Sequence, residues 1–276
     1  MKKWLLSIYL LLTCISQSQA KEYGYVLPGL PSGFFSNFCC VLGFLNAYEN
    51  KGGMVVDFKN QGLFYEADLG PNWWTYYFEP INVRGKKKCT YKKLMPFEIM
   101  SLGIYTYTKM SRERGHDLIA KYIKVKAEIQ DKVECFAAQN FQEDYLIGVH
   151  YRGTDKSVEA PRVTYEDLFS AIRKALPPLL PYKIFVATDE TALIDAITRE
   201  FAEKVIYAEA LRSSSNEAVH FAKGGSPYQK GEEVLIDCLL LSRCNLLIRT
   251  ASNVSTCAGF FNPQLPIVNL NRLYFE

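Results

Sequence analysis

Short apolar runs alternate with amphipathic stretches through the second half of the chain. The apolar runs cover residues 145–149, 183–187, 204–208, 246–248 and 267–270. Helical spacing of apolar positions covers residues 165–176, 192–202 and 232–243. Continuous apolar strands that alternate with helices are typical of a parallel sheet covered on both faces. The pattern therefore predicts a doubly wound, mostly parallel, Rossmann-like α/β domain from about residue 140 onwards.

The first half of the chain has a less regular pattern. It predicts a helix over residues 37–49, a strand over 54–58 and an aromatic-rich segment over 64–81. Apolar side chains then recur at steps of three and four residues, which predicts one long amphipathic helix over 113–138. This helix leads directly into the strand at residue 145. The predicted α/β domains therefore cover residues 21–140 and 141–276.

Residues 1–20 have the features of an export signal. Lys2 and Lys3 precede an apolar stretch over residues 4–15, and Ser18 and Ala20 form a small-x-small end. The apolar stretch is shorter than the ~20 residues that a helix needs to span a bilayer. We therefore expect a cleaved signal and no stable membrane span. The expected location is secreted or in the Golgi or endoplasmic reticulum lumen of a eukaryote, or extracytoplasmic in a bacterium.

Composition and charge exclude several classes of protein. Hydrophobic residues make up 49% of the chain and charged residues 22%, which is the balance of a globular protein. The net charge of +3 lacks the basic excess of a nucleic-acid-binding domain, so no nucleic-acid partner is expected. The cysteines and histidines have no zinc-ligand spacing, so no metal site is predicted. An exported chain could form disulfides, whose pairing the sequence leaves open.

The most informative polar segment, residues 150–156, follows the first strand of the predicted doubly wound sheet, and ligands of such sheets bind beyond the carboxyl ends of the strands. The segment contains His150, Arg152, Gly153, Asp155 and Lys156. Arginine binds phosphate oxygens in a bidentate way, lysine adds a compact positive charge, and glycine lets the backbone approach a phosphate closely. The loop is therefore predicted to hold a diphosphate, and the alternative is a βα loop with surface charges.

Two carboxylates follow the second predicted strand. Asp189 and Glu190 suit hydrogen bonds to ribose hydroxyls or to the N–H groups of guanine. Alternatively, Thr188 or Asp189 caps the helix that comes next.

The third polar region spans residues 231–253. Asp237 lies in an apolar helix, where an unpaired carboxylate is costly, so we expect it to pair with a cation or a ligand. A structural Asp–Arg pair is the competing interpretation. Ser252 and Asn253 lie in a turn that opens the next helix, whose backbone N–H groups are suited to bind an anion.

In this order, residues 150–156, 185–190 and 237–253 resemble the three motif regions of GDP-fucose-dependent fucosyltransferases. The likeness is greatest to the branch of α1,6-fucosyltransferases and nodulation-factor fucosyltransferases, with protein O-fucosyltransferases as more distant relatives. The resemblance implies a GT-B-like fold, in which two Rossmann-like domains face each other and the second binds the donor. It also implies an inverting, metal-independent transfer of fucose from GDP-fucose to a hydroxyl of a glycan or glycoprotein, without a cofactor.

The resemblance also assigns roles to residues in the first motif. Arg152 and Lys156 would hold the diphosphate and stabilise its charge as it leaves, with His150 and Gly153 beside them. The α1,6 branch has paired arginines here, whereas this chain has Gly153 at the second position and so one cation fewer.

The later motifs would serve the nucleoside and the phosphates. Asp189 and Glu190 would contact the nucleoside, Asp237 would organise the donor pocket, and Ser252 and Asn253 would bind phosphate oxygens.

The resemblance also implies a general base after the first motif. The branch has an acidic residue a few positions after the lysine, and strict alignment places Ala160 there. Glu159 is one residue away and is the first candidate for the base, with Asp155 as the second. The long segment 211–230 is predicted to be a mobile lid over the donor, with His220 near the ligand, and a surface insertion is the alternative.

Two other functions remain open from the sequence. One is a non-catalytic protein that binds a nucleotide or glycan on a glycosyltransferase scaffold. The other is the same class of enzyme with a different donor sugar. The aromatic run at residues 73–77 is either a sugar-stacking platform or, more commonly for such runs, part of the core.

Overall fold

The computed structural model of the chain describes residues 23–59, 62–83, 90–101, 110–142, 144–153, 159–214 and 224–274. The helices are α1 (Phe34–Tyr48), α2 (Trp74–Tyr77), α3 (Pro96–Ser101), α4 (Arg112–Tyr122), α5 (Ala127–Asn140), α6 (Tyr165–Ala175), α7 (Thr191–Phe201), α8 (Pro227–Leu241) and α9 (Asn253–Phe261). The strands are β1 (Tyr23–Leu27), β2 (Met54–Val56), β3 (Asn82–Val83), β4 (Thr90–Lys93), β5 (Tyr145–Tyr151), β6 (Tyr182–Thr188), β7 (Val205–Ile206), β8 (Leu246–Arg249) and β9 (Ile267–Asn269).

Several predicted features lie outside the described residues. They are the export signal over residues 1–20, Asp155, Lys156 and His220. Within the described ranges, no helix combines the length and the apolar character needed to cross a membrane.

The second half of the chain forms a parallel sheet of five strands in the order β7-β6-β5-β8-β9. Helices α6 and α7 cover one face, where Leu168 and Ile197 pack in a core with Ile147 of β5. Helices α5, α8 and α9 cover the other face, where Leu235 shares a core with Phe185 of β6. Because the central strands β5 and β6 are buried on both faces, the sequence of each contains a continuous apolar run. The predicted doubly wound sheet is confirmed.

The first half forms a sheet of four strands in the order β3-β2-β1-β4. Strand β1 pairs in parallel with β2 and β4, and only β3 runs antiparallel. Helix α1 packs on β1 and β2 and also contacts α9, which explains why it is apolar around most of its circumference. It begins at Phe34, before the predicted residue 37. The buried Asn37 stabilises the preceding turn, because its side chain accepts from Leu30 N at 2.8 Å and donates to Leu30 O at 3.1 Å.

The aromatic run around α2 belongs to the core. Trp73, Trp74 and Tyr77 are almost completely buried, and the ring of Trp74 stacks on Phe78 at 4.2 Å between centroids. Tyr77 also stacks on Tyr228 of α8 at 5.4 Å, which joins the first half of the chain to the second. These rings are used for packing, so the alternative of a sugar-stacking platform is wrong for this run.

The predicted helix over residues 113–138 is wrong, because the structure has two helices there. Helix α4 ends at Tyr122 and α5 begins at Ala127. Between them the chain is extended and pairs with the end of α2: Glu79 N donates to Lys124 O at 2.8 Å, and Lys126 N donates to Tyr77 O at 2.9 Å. The amphipathic period continues through the break, but this long-range pairing competes with the helical hydrogen bonds and replaces them.

Helix α8 begins at Pro227, earlier than the pattern predicted. Ser226 is the N-cap, and its Oγ accepts from Gln229 N at 3.1 Å. Serine followed by proline is a helix-start signal, because serine is a good N-cap and proline is well suited to the first helical position. A prediction from apolar periodicity alone does not include this signal. The predicted lid over residues 211–230 therefore ends in a helix, and its residues 215–223 lie outside the described part.

Candidate functional site

The candidate site lies where β5, β6 and β8 end. Strand β5 extends to Tyr151, so the assignment of His150 to the loop after the strand is wrong. The strand is longer than predicted because the backbone pairing with β8 continues: Thr250 N donates to His150 O at 3.0 Å. His150 is consequently a buried strand residue, and the polar loop begins at Arg152.

The Arg152 guanidinium is held by a carboxylate from the neighbouring strand end. Arg152 Nη1 lies 2.8 Å from Asp189 Oδ2, and Gly153 N donates to Asp189 Oδ1 at 3.1 Å. Arg152 N also donates to Thr250 Oγ1 at 2.8 Å, which fixes the loop against the end of β8. The Asp189 side chain is 8% exposed and the Arg152 side chain 20%. The strand ends therefore hold a largely buried, oriented guanidinium at the edge of the sheet where ligands bind.

Glu190 lies directly beneath the backbone of Gly153. Its carboxylate accepts from the Tyr165 hydroxyl at 2.7 Å and lies 3.5 Å from Arg162 Nη2. A Cβ added to Gly153 would clash with Glu190 Oε1. Burial and the hydrogen bond to Glu190 raise the pKa of Tyr165, so its hydroxyl keeps the proton that it donates. Glu190 thus fills the space that a side chain at position 153 would need.

The segment before the undescribed residues 215–223 is attached to this site. Ser213 N donates to Asp189 O at 2.8 Å, and Thr191 N donates to Ser213 O at 3.0 Å. Helix α7 therefore begins after Glu190 without a side-chain cap, so the alternative of a cap by Thr188 or Asp189 is wrong. A backbone carbonyl from the later segment provides the acceptor in its place.

Asp237 of α8 lies where this segment meets the helix. Its carboxylate is buried, and its Oδ1 atom has no hydrogen-bond partner among the described residues. Burial raises the pKa of Asp237 to about 7; nearby Arg212 opposes this rise, and Glu233 adds to it. The hydrogen bonds of Arg212 go to backbone carbonyls, with Nη2 donating to Ala208 O at 2.8 Å. A simple structural Asp–Arg pair therefore does not account for the buried carboxylate.

The turn before α9 completes the site. Ser252 is the N-cap, and its Oγ accepts from Val254 N at 3.3 Å. Ser255 Oγ donates to Thr250 O at 3.3 Å, which ties this turn to the residue that holds Arg152 N. The Asn253 side chain accepts from Cys39 Sγ at 3.5 Å. The N-terminal turn of α9 and the backbone of Arg152 are therefore connected through Thr250.

Of the two candidate bases, the structure describes Glu159, and Asp155 lies outside the described residues. Glu159 is partly exposed, and its carbonyl accepts from Tyr274 N at 2.9 Å. Ala160 is buried in a small apolar cluster with Ala251 and Leu273. A carboxylate at position 160 would be buried in this cluster, whereas Glu159 is partly exposed.

Several residues of the site escaped sequence reasoning. They are Thr250, Arg162, Tyr165, Arg212 and Ser213, which contact or neighbour the predicted residues. Among them, the sequence indicates Arg212, because it is a cation within the long segment 211–230 that is predicted to be functional. Within the described residues, no group of three or more His, Cys, Asp or Glu side chains is arranged to hold a metal ion. The metal-independent reaction stays a prediction.

Comparison with known proteins identifies the family. The family described as Nodulation protein Z (NodZ) matches residues 109–271, which is more than half of the chain. The nodulation protein Z of Sinorhizobium fredii is 28% identical over 137 residues, covering 46% of this chain and 42% of that protein. The chain thus spans less than half the length of the curated relatives it matches.

Solved structures support the fold. The crystal structure of fucosyltransferase NodZ from Bradyrhizobium has a TM-score of 0.62 and 18% identity, over 90% of this chain and 94% of that chain. A NodZ alpha-1,6-fucosyltransferase soaked with GDP-fucose has a TM-score of 0.57 and 18% identity, over 88% and 93%. The GT-B-like fold that the sequence resemblance implied is confirmed. With the match over residues 109–271, the chain belongs to the nodulation protein Z family.

Proposed function

We propose that this chain transfers fucose from GDP-fucose to a hydroxyl of a glycan or glycoprotein, with inversion and without a metal. The observation that carries the proposal is the Arg152 guanidinium, oriented by Asp189 in a loop whose backbone is joined through Thr250 to the turn at the N-terminus of α9. A guanidinium and a helix N-terminus both favour phosphate oxygens. Together they suit a diphosphate whose negative charge grows as the sugar leaves.

The environment of Asp237 supports a nucleobase that donates hydrogen bonds. Its Oδ1 atom is buried with no partner among the described residues, and burial raises its pKa to about 7. A buried acceptor of this kind gains most from an N–H donor, and guanine presents such donors on one edge. Family membership favours the same base, since a relative of this fold has been soaked with GDP-fucose.

The transfer also needs a base for the acceptor hydroxyl. Glu159 is the first candidate, because it is the acidic residue near this loop that remains partly exposed. Asp155 is the second, and Lys156 would add positive charge at the diphosphate; both lie outside the described residues.

A second candidate function is donor binding without transfer. The observation that favours it is Glu190, whose carboxylate occupies the space beside Gly153 and leaves no room for a second cation there. Fewer cations at the leaving diphosphate would slow the chemical step while leaving recognition of the nucleotide intact.

The first experiment tests ligand and activity together on the purified chain. Thermal stabilisation is measured with GDP, UDP, ADP and CMP, each with Mg²⁺ or with a chelator, since a ligand that binds the folded state raises its stability. Transfer from GDP-fucose is then measured over a set of glycan acceptors. The proposal is supported if GDP alone stabilises the chain, equally with and without Mg²⁺, and if fucose is transferred. Stabilisation by GDP without transfer supports donor binding without catalysis, and stabilisation by UDP instead of GDP indicates a UDP-sugar as the donor.

A pair of arginine variants tests the site itself. Arg152→Ala is expected to lose transfer by about 100-fold or more, because an oriented charge at a leaving group contributes at least that much. Arg173→Ala is the matched control, since Arg173 pairs on the outer helices with Glu166 and Glu200. Full activity of Arg152→Ala would refute the site assignment.

We also propose that the chain acts after export. The predicted signal over residues 1–20 supports this, and a nucleotide sugar would then have to reach the compartment where the chain lies. N-terminal sequencing of the protein from its natural source tests the idea, with a start at residue 21 as the expected result. A start at Met1 would contradict it.

A further inference from the structure

Three cysteines from three helices converge beside the candidate site. Cys39 of α1 and Cys257 of α9 have their Sγ atoms 3.6 Å apart. Cys238 of α8 lies close by, and its Sγ donates to Val254 O at 3.3 Å. Cys39 and Cys257 are separated by 218 positions in the sequence, so the packing of the two halves of the chain brings them together. No cysteine spacing in the sequence indicates this pair.

The two thiols of the pair differ in accessibility. Cys39 is partly exposed, whereas Cys257 is completely buried. Cys39 is therefore the thiol that an external reagent reaches first. Burial also raises the pKa of the Cys257 thiol, which makes Cys257 the less reactive of the two. A disulfide requires a sulfur separation of about 2.05 Å, so the two Sγ atoms must approach by roughly 1.5 Å. Side-chain rotation can supply a movement of this size without separating the helices.

We propose that Cys39 and Cys257 form an oxidation site whose disulfide ties α1 to α9. The oxidant is a small-molecule disulfide such as glutathione disulfide. The Cys39 thiol loses its proton, and the thiolate attacks one sulfur of the oxidant to form a mixed disulfide and release one glutathione thiolate. The first glutathione thiolate takes the proton of the Cys257 thiol. The Cys257 thiolate then attacks the Cys39 sulfur and releases the second glutathione thiolate, which takes up the proton lost by Cys39. The chain loses two hydrogens, and the oxidant is reduced to two thiols.

The pair is connected to the candidate phosphate-binding turn. In the reduced chain the Cys39 thiol donates to Asn253 Oδ1, one residue after the Ser252 cap. A disulfide removes that proton, so the Asn253 amide loses the contact that orients it. This consequence rests on the proposed function. The expected loss of GDP affinity on oxidation is roughly two- to five-fold, the size of one weak S–H···O hydrogen bond.

The test treats the folded full chain with glutathione disulfide and maps its peptides by mass spectrometry. The expected result is a peptide that links residues 39 and 257, reversed by a thiol reductant. Cys238→Ser is the matched control and keeps the link, whereas Cys257→Ser stops at glutathione attached to Cys39. Cys135 is exposed on α5 and reports that the oxidant is active. Glutathione on Cys135 without the 39–257 link would overturn the proposal, and so would a link from Cys39 to Cys238.

The nucleotide measurement separates this proposal from the proposed function. GDP affinity is measured for the reduced and the oxidised chain by calorimetry. Weaker binding after oxidation supports the connection to Asn253, and equal binding refutes that connection. A chain that binds no nucleotide in either state counts against the proposed function, while the peptide map still decides the oxidation site.

Discussion

Asp237 should lower the stability of the folded chain at neutral pH, and replacing it with asparagine should restore that stability. The carboxylate is buried, and burial raises its pKa to about 7. In the unfolded chain an aspartate titrates near 3.9. The difference of about three pH units corresponds to ~4 kcal/mol, which is an upper limit because the structure can relax around the charge. Asp237→Asn keeps the shape and cannot ionise.

The sign of this effect follows from proton binding. Below about pH 4 both the folded and the unfolded chain keep the proton on Asp237, so the residue adds no pH dependence. Between about pH 4 and the folded-state pKa of about 7, only the folded chain keeps it. The unfolding free energy of the wild type therefore falls as the pH rises through this window. Above it both states are ionised, and the full penalty is present.

The assay is urea unfolding of Asp237→Asn and the wild type at several values between pH 4 and pH 8. The variant's advantage in unfolding free energy should grow from near zero at the acid end to as much as ~4 kcal/mol at the alkaline end. Glu203→Gln is the control, because its side chain is 77% exposed and Glu203 is not among the charged groups that shift the Asp237 pKa. A difference between Asp237→Asn and wild type that stays constant across this range would refute the reasoning.

The same variant should separate stability from binding. If the carboxylate accepts from the nucleobase, Asp237→Asn gains stability and loses GDP affinity, as expected where a site keeps a costly charge for its ligand. In the wild type, GDP affinity should rise with pH towards the Asp237 pKa of about 7, because the ionised carboxylate is the better acceptor. Unchanged GDP binding in Asp237→Asn would place the nucleobase elsewhere.

Three further predictions test packing and charge. Gly153→Ala should destabilise the chain by ~1–3 kcal/mol because its Cβ meets the Glu190 carboxylate. In a double-mutant cycle, adding Glu190→Ala should recover part of that loss, and strictly additive changes in unfolding free energy would contradict the contact. Trp74→Ala should cost ~3–5 kcal/mol in thermal unfolding, whereas a small cost would show that the ring is not core. Hydrogen bonds from Arg114 and Lys121 lower the pKa of Glu49 to about 2. Glu49 should therefore contribute stability above about pH 4, and this contribution is lost as the pH falls towards 2. In unfolding experiments, Glu49→Gln should cost up to ~1 kcal/mol at pH 7 and nothing near pH 2.

The sequence predicts the second sheet well because the relevant signal is local. A strand buried on both faces requires a continuous apolar run, and each such run can be recognised without knowledge of its neighbours. The helix over residues 113–138 fails for the opposite reason. Its break depends on Lys124 and Lys126 pairing with Glu79 and Tyr77, which are distant in sequence. The amphipathic spacing of apolar residues contains no information about such a distant partner.

The site is predictable only to the extent that strand ends define it. Arg152 and Asp189 were placed together because the carboxyl ends of neighbouring parallel strands meet at one edge. Their direct pairing could not be predicted, since it depends on how each side chain turns after its strand ends. The same limit applies to Arg212, which lies near Asp237 in a segment whose backbone hydrogen-bonds to Asp189 through Ser213 and to Glu233 through Leu211.

Gly153 illustrates why a departure from a family pattern cannot be judged from one position. In the sequence it is simply one cation fewer beside the diphosphate. In the structure the missing side chain makes room for the Glu190 carboxylate, which in turn lies close to the guanidinium of Arg162. Arg152 is similarly matched by Asp189, so the two arginines and two carboxylates sum to zero charge. Attraction by net charge therefore contributes little from these four residues. A diphosphate would have to be held by donors that are already oriented, and such orientation lowers the cost of binding without requiring excess positive charge.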